Sequence, residues 1–123
     1  SAAKHLLDCG VELSRITMSS DGNGVMTVFN ADGSPTMLVS PVKAMLEEFC
    51  DMLAEGLTIT QASSIVSANP AALLALTDKG RLCEGYAADL LLLDSDYNLR
   101  AVFAKGRQMV QGNTAIVKGV FEA

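Results

Sequence analysis

Ala3, Leu6 and Leu7 share one face at helical spacing, and Gly10 stands where a left-handed C-terminal cap belongs, so the pattern predicts a helix over 2–9. The period then changes. Ile16 and Met18 alternate with Thr17 and Ser19 in the period-two pattern of a short strand, which the polar run Ser20-Asp21-Gly22-Asn23-Gly24 stops abruptly. Two more β-type runs follow, 25–29 and 36–39, separated by the turn-rich Asn30-Ala31-Asp32-Gly33-Ser34-Pro35; they predict a hairpin directly behind Asp21. Ser40-Pro41 has the form of a helix start, with serine as N-cap and proline at the first helical position. Val42, Met45, Leu46, Phe49, Met52 and Leu53 then keep the i, i+3, i+4, i+7 spacing of a packed face until Gly56. Thr58-Ile59-Thr60-Gln61 has capping-box form and predicts a second helix through about Ser67. Asn69-Pro70 repeats the cap-plus-proline signal for a third, short helix bearing Leu73, Leu74 and Leu76.

From Thr77 the apolar runs become brief and glycine-punctuated, at 89–93, 101–105, 108–111 and 114–121, with turn signals at Lys105-Gly106-Arg107 and Gly112-Asn113. This predicts a small antiparallel element. The organisation expected is therefore an α/β portion over 1–76 and β strands over 77–123.

Composition adds three constraints. At 123 residues the chain is one domain or a piece of one. Half of its residues are hydrophobic and its mean hydropathy is +0.31, so some apolar surface is expected to meet another chain or a missing segment, with a homo-oligomer as one outcome. No apolar run approaches the ~20 residues of a membrane span. The net charge of −5, without a Lys/Arg cluster, argues against a nucleic-acid partner. Cys9, Cys50 and Cys83 lack any Cys-x-x-Cys pattern and read as buried, reduced thiols of a cytoplasmic protein. No charged-then-apolar signal segment opens the chain, which starts inside a helical pattern as a truncated sequence would.

The candidate chemistry gathers at Asp21. In α/β folds catalytic groups collect at the carboxyl ends of strands, because the sheet fixes the Cα while the following loop frees the side chain to face a ligand. Gly22 and Gly24 would let the backbone after Asp21 turn tightly and approach a bound molecule. Ser-Asp-Gly-Asn-Gly is equally an ordinary turn sequence. The hairpin behind it reads either as a lid over a substrate or as edge packing. His5 is the sole histidine and reads as a surface or packing residue, since a metal site needs several converging ligands. The Met/Phe stripe of 42–53 reads as core. Asp89, heading an apolar strand, reads as a satisfied structural carboxylate.

Taken together, Ser19-Ser20-Asp21-Gly22, Asn69-Pro70-Ala71, Gly85-x-x-Ala88-Asp89-Leu90 and the 102–106 run with Gly112 resemble the C-terminal third of the metal-dependent amidohydrolases. Ser-Ser-Asp-Gly-Asn-Gly, the hairpin behind it and Lys118-Gly119-x-Phe121-Glu122 resemble most closely the isoaspartyl (β-aspartyl) dipeptidases. The resemblance implies a C-terminal fragment of a (β/α)8 barrel plus part of a small β-sandwich domain; the barrel alone typically needs ~250 residues. It implies that Asp21 closes the eighth strand, contacts a two-metal centre that is usually zinc, and acts as general base. Gly22, Asn23 and Gly24 would line the substrate, a β-aspartyl dipeptide.

The family's other ligands are a His-x-His pair, a carboxylated lysine or acid, and two further histidines. A chain with one histidine lacks them, so the isolated polypeptide is expected to hold no metal pair and to be inactive. Val25 stands where the dipeptidase pattern has a serine that helps hold a substrate carboxylate. That departure keeps open another amidohydrolase substrate, namely a cyclic imide, a dihydropyrimidine or an N-acyl amino acid. A non-catalytic assembly module is the competing class.

Overall fold

The computed structural model describes residues 1–41 and 43–119, which fall into two compact units that divide after Pro70. Val42 of the expected helix stripe, and the Phe121-Glu122 end of the last expected strand and motif, lie outside the described residues.

In the first unit, α1 (Ala2–Asp8) and α2 (Ala44–Ala54) both stop in the way their glycines predict. Past α1, Gly10 donates to Leu7 O at 2.9 Å and Val11 to Leu6 O at 3.0 Å; past α2, Gly56 donates to Leu53 O and Leu57 to Met52 O, each at 3.0 Å. These are the paired bonds of a Schellman motif, and φ is +83° at Gly10 and +95° at Gly56. The second motif turns the chain so that Leu57 packs with Met52 in the core. Ala3, Ile16, Met52, Leu57, Ala62 and Ile65 form that core, with Leu7, Val11, Leu13, Met18, Phe49, Leu53 and Val66 packed around it. Of the Met/Phe stripe of α2, Met52 is core and Phe49 and Leu53 pack against it, while Met45 and Leu46 are half-buried. No described helix is long and apolar enough to cross a membrane.

The hairpin forms as predicted. β1 (Val25–Phe29) pairs antiparallel with β2 (Pro35–Val39), in register from Val25↔Val39 to Phe29↔Pro35. Its tip is closed by its own polar groups: the Asn30 amide donates to Ser34 Oγ at 2.9 Å and Thr36 Oγ1 at 2.8 Å, and Asp32 Oδ1 accepts from Ser34 N at 2.9 Å. The Ser34 hydroxyl and backbone N–H together hold the Asp32 carboxyl below its ordinary value.

Two helix starts differ from expectation. Among the described residues Ser40 makes no cap bond: α2 begins at Ala44 behind Lys43, and the Ser40 hydroxyl donates to the distant carbonyl of Ser20. The Thr58 capping box is present, with Thr58 Oγ1 accepting from Gln61 N and the Gln61 side chain accepting from Thr58 N, and it starts α3 (Ile59–Ser63). There is then no fresh cap at Asn69. A π-helical stretch, Ser64–Ala68, leads directly into α4 (Asn69–Leu73). Asn69 N–H donates to Ser64 O, and Pro70, one residue on, has no N–H to offer Ile65 O. The Ile65 carbonyl instead accepts from Met18 N at 3.1 Å. The expected strand at Ile16–Ser19 is extended at Ile16 (φ −99°, ψ 122°) but joins no β ladder among the described residues. It is held by this bond, by the Asn69 side chain, which donates to Leu13 O at 2.7 Å and Ile16 O at 2.8 Å, and by the burial of Ile16 in the core with Met18 packed against it.

The second unit carries a four-stranded antiparallel sheet in the order β3 (Leu90–Leu93), β4 (Leu99–Ala104), β5 (Arg107–Gln111), β6 (Thr114–Ala115). The Gly85-x-x-Ala88-Asp89 motif pins its β4–β5 turn: Ala88 O accepts from Gly106 N at 2.9 Å and Asp89 Oδ1 from Lys105 N at 2.7 Å. Asp89 is thus hydrogen-bonded, as its structural reading requires, but the strand behind it is not buried, since Leu91 and Leu92 are exposed. Leu73, Leu74 and Leu76 are exposed as well. The cysteines are free, yet Cys9 and Cys83 are exposed and Cys50 half-buried, so the expectation of buried thiols is corrected.

Candidate functional site

The extended run that starts at Ile16 delivers the chain to Asp21 with its backbone already committed. Ser19 Oγ accepts from Asp21 N at 3.3 Å and Ser20 Oγ from Gly22 N at 3.1 Å, so each serine folds the chain back on itself. Asp21 (φ +47°) and Asn23 (φ +64°) then take the left-handed region, which Asp and Asn tolerate better than other non-glycine residues. Gly24 N donates to Asp21 O at 2.7 Å and closes the turn.

Hairpin and loop are one hydrogen-bonded structure. One step beyond the Val25↔Val39 pair, Ser40 N donates to Gly24 O at 2.9 Å and Asn23 N to Ser40 O at 3.1 Å. The Ser40 hydroxyl donates to Ser20 O at 2.6 Å. Asp21, Gly22 and Asn23 are exposed, while Gly24 and Ser40 are half-buried. The four residues singled out from the sequence therefore form a single loop, with the Asp21 carboxylate free to meet a ligand.

Ser40 and Asn69 were both legible only as helix caps, and both hold the Asp21 segment instead. Running the hairpin register one pair past Val25 and Val39 would have set Ser40 opposite Gly24.

Asp21 supplies one carboxylate, and a two-metal centre requires several more donors around it. Among the described residues no group of three or more His, Cys, Asp and Glu side chains converges to hold a metal. His5 is exposed, with Nε2 3.7 Å from Cys9 Sγ. The donors present do not build the implied metal centre.

Residues 1–120 match the amidohydrolase family, and the chain belongs to it. Within that family its structure is similar to a β-aspartyl dipeptidase of Fervidobacterium islandicum AW-1 in complex with β-Asp-Leu: TM-score 0.81, 26% identity, 97% of this chain and 32% of that one. A second structure of the dipeptidase from this bacterium gives a TM-score of 0.76 at 26% identity, over 97% of this chain and 29% of the other. The fold is also shared with N-acetylglucosamine-6-phosphate deacetylase of Thermotoga maritima, at TM-score 0.64 and 23% identity, over 81% of this chain and 32% of that one. The chain thus spans about a third of the length of the dipeptidases it matches. Its fold class is α/β, and the resemblance read from the Asp21, Asn69 and Gly85 motifs leads to the same family.

Proposed function

We propose that these residues belong to a hydrolase of β-aspartyl (isoaspartyl) dipeptides, in which Asp21 is the general base. One observation carries this reading: 97% of the chain overlays, at a TM-score of 0.81, a dipeptidase described in complex with β-Asp-Leu. The local chemistry is compatible with it. An exposed carboxylate on a hydrogen-bonded loop is able to take a proton from an attacking water and return it to the leaving amine, a task worth ~10²–10⁴-fold in rate. The two divalent metal ions that the resemblance implies would draw their remaining ligands from outside these residues, and the same holds for activity.

The test uses the intact enzyme. It is expected to turn over β-Asp-Leu faster than N-acyl amino acids, and Asp21→Asn is expected to remove that turnover. Equal rates on the two substrate types would sink the dipeptide assignment. A second reading keeps the family and changes the substrate to a cyclic imide, a dihydropyrimidine or an N-acyl amino acid. Val25 supports it: the first side chain after Gly24 is apolar and 57% exposed, and it has no group to bind a substrate carboxylate.

A further inference from the structure

We infer that Ser40, one residue past the far strand of the hairpin, is a positioning residue for Asp21; the inference rests on the reading of Asp21 as the general base. The Ser20 carbonyl that receives the Ser40 hydroxyl bond belongs to the peptide unit whose nitrogen is that of Asp21. That peptide plane is held at both ends: its oxygen by Ser40 Oγ at 2.6 Å, its N–H by Ser19 Oγ at 3.3 Å. On the other side of Asp21 its carbonyl accepts from Gly24 N at 2.7 Å. The two backbone torsions that set the direction in which the Asp21 side chain leaves the chain are thereby bracketed.

The bracket is needed because Asp21 has a φ of +47°, a conformation an L-residue leaves readily when nothing opposes it. Of these contacts, the Ser40 hydroxyl alone comes from outside the loop through a side chain. Ser40 also makes two backbone bonds to the loop, to Gly24 O and from Asn23 N, which survive any substitution at position 40 that keeps the strand. Removing the hydroxyl therefore frees the 20–21 peptide plane to rotate while the hairpin stays attached. The carboxylate would move and the loop would remain.

The experiment compares Ser40→Ala, Ser40→Thr and Asp21→Asn in the intact enzyme with β-Asp-Leu. A displacement of ~1 Å in a reacting group costs up to ~10²-fold, so Ser40→Ala is expected to lower kcat by about tenfold or more. KM should change by less than about threefold, because the substrate contacts persist, and Tm should fall by no more than the loss of one part-buried hydrogen bond allows, because the hairpin ladder persists. Ser40→Thr, which keeps the hydroxyl, should recover kcat. If Ser40→Ala fails to fold, Ser40→Cys puts the same question, since a thiol is a weak donor. Wild-type kcat in Ser40→Ala, or a loss that Ser40→Thr shares, overturns the positioning role. Asp21→Asn separates the two levels: if it is inactive while Ser40→Ala is normal, only the positioning role fails. If Asp21→Asn stays active, the general-base reading fails and takes this one with it.

Discussion

Gly24 lies directly against the side chain of Asp21: a Cβ at position 24 would overlap Asp21 Oδ2 and stand 2.6 Å from its Cγ and 2.7 Å from its backbone oxygen. Gly24 is not among the residues of positive φ, so glycine is required there for space and not for backbone freedom. A Gly24→Ala change must push the carboxylate aside and strain the turn behind it. In the intact enzyme the expected result is a kcat loss on the order of ten- to a hundredfold. Unchanged kinetics would show that the carboxylate works from another orientation.

Asn69 ties two carbonyls that lie 56 and 53 residues earlier in the chain. Asn69→Ala would leave Leu13 O and Ile16 O without these donors in a part-buried setting, at a cost of about 1–3 kcal/mol. Asn69→Asp should cost more, because a carboxylate would face two carbonyl oxygens. Urea unfolding followed by circular dichroism measures both; identical midpoints for wild type and Asn69→Ala would contradict the assignment.

The Asp89 carboxyl is held below its ordinary value of 3.8 by the Lys79 hydrogen bond first and the Lys105 backbone N–H second. Lys79 is raised above 10.5 by the same partner. A depressed carboxyl stabilises the fold above the unfolded value, and that contribution is lost as pH falls below 3.8 through the folded one; a raised lysine contributes below 10.5 and loses its part only as pH climbs through its folded value. Stability of the second unit should therefore be flat in this respect between about pH 5 and 9. Asp89→Asn is expected to reduce stability at pH 7 and to flatten its fall below pH 4. An unaltered acid limb in that variant would remove Asp89 from the account.

Ala75 donates to Ala72 O at 3.1 Å and Leu76 to Ala71 O at 2.9 Å, the same paired bonds that end α1 and α2. Here the left-handed position, with φ +54°, is held by alanine. Ala75→Gly should relieve the Cβ conflict and raise stability by about 0.5–1 kcal/mol, a gain readable as a higher Tm. A lower Tm would mean that the entropy glycine adds to the unfolded chain outweighs the relief.

Phe29 and Met37 lie on one face of the hairpin and are 72% and 69% exposed, beside Val25 and Val39. An apolar face of this kind promotes association. The chain is expected to self-associate in light scattering, and Phe29→Ser with Met37→Ser should lower the measured mass while leaving the unfolding midpoint nearly unchanged. A monomeric wild type would remove the hairpin as an association surface.

The local devices were legible because their partners are near in sequence: the glycines at 10 and 56, the Thr58–Gln61 box and the Asn30–Pro35 turn each answer to bonds a few residues away. Ser40 and Asn69 were not, since the side chains that cap helices serve equally to bind a distant carbonyl, and local sequence cannot distinguish the two. Leu91 and Leu92 show a related limit: an apolar pattern tells which faces favour cover, not which are covered. At the candidate site the passage from Met18 to Asp21 and Gly22 marked the loop, whereas its attachment to Ser40 depends on a register that exists only once the hairpin has formed.

Pro70 has a consequence for any effort to make this fold more robust. Replacing a proline within a helical run by alanine normally counts as an improvement, because it restores a donor and favours the helix. At position 70 the restored N–H would compete with Met18 for the Ile65 carbonyl. That bond would extend the π-helical register of 64–68 by one residue while the segment leading to Asp21 lost its mooring, so a substitution that looks stabilising by propensity alone would loosen the run on which Asp21 stands.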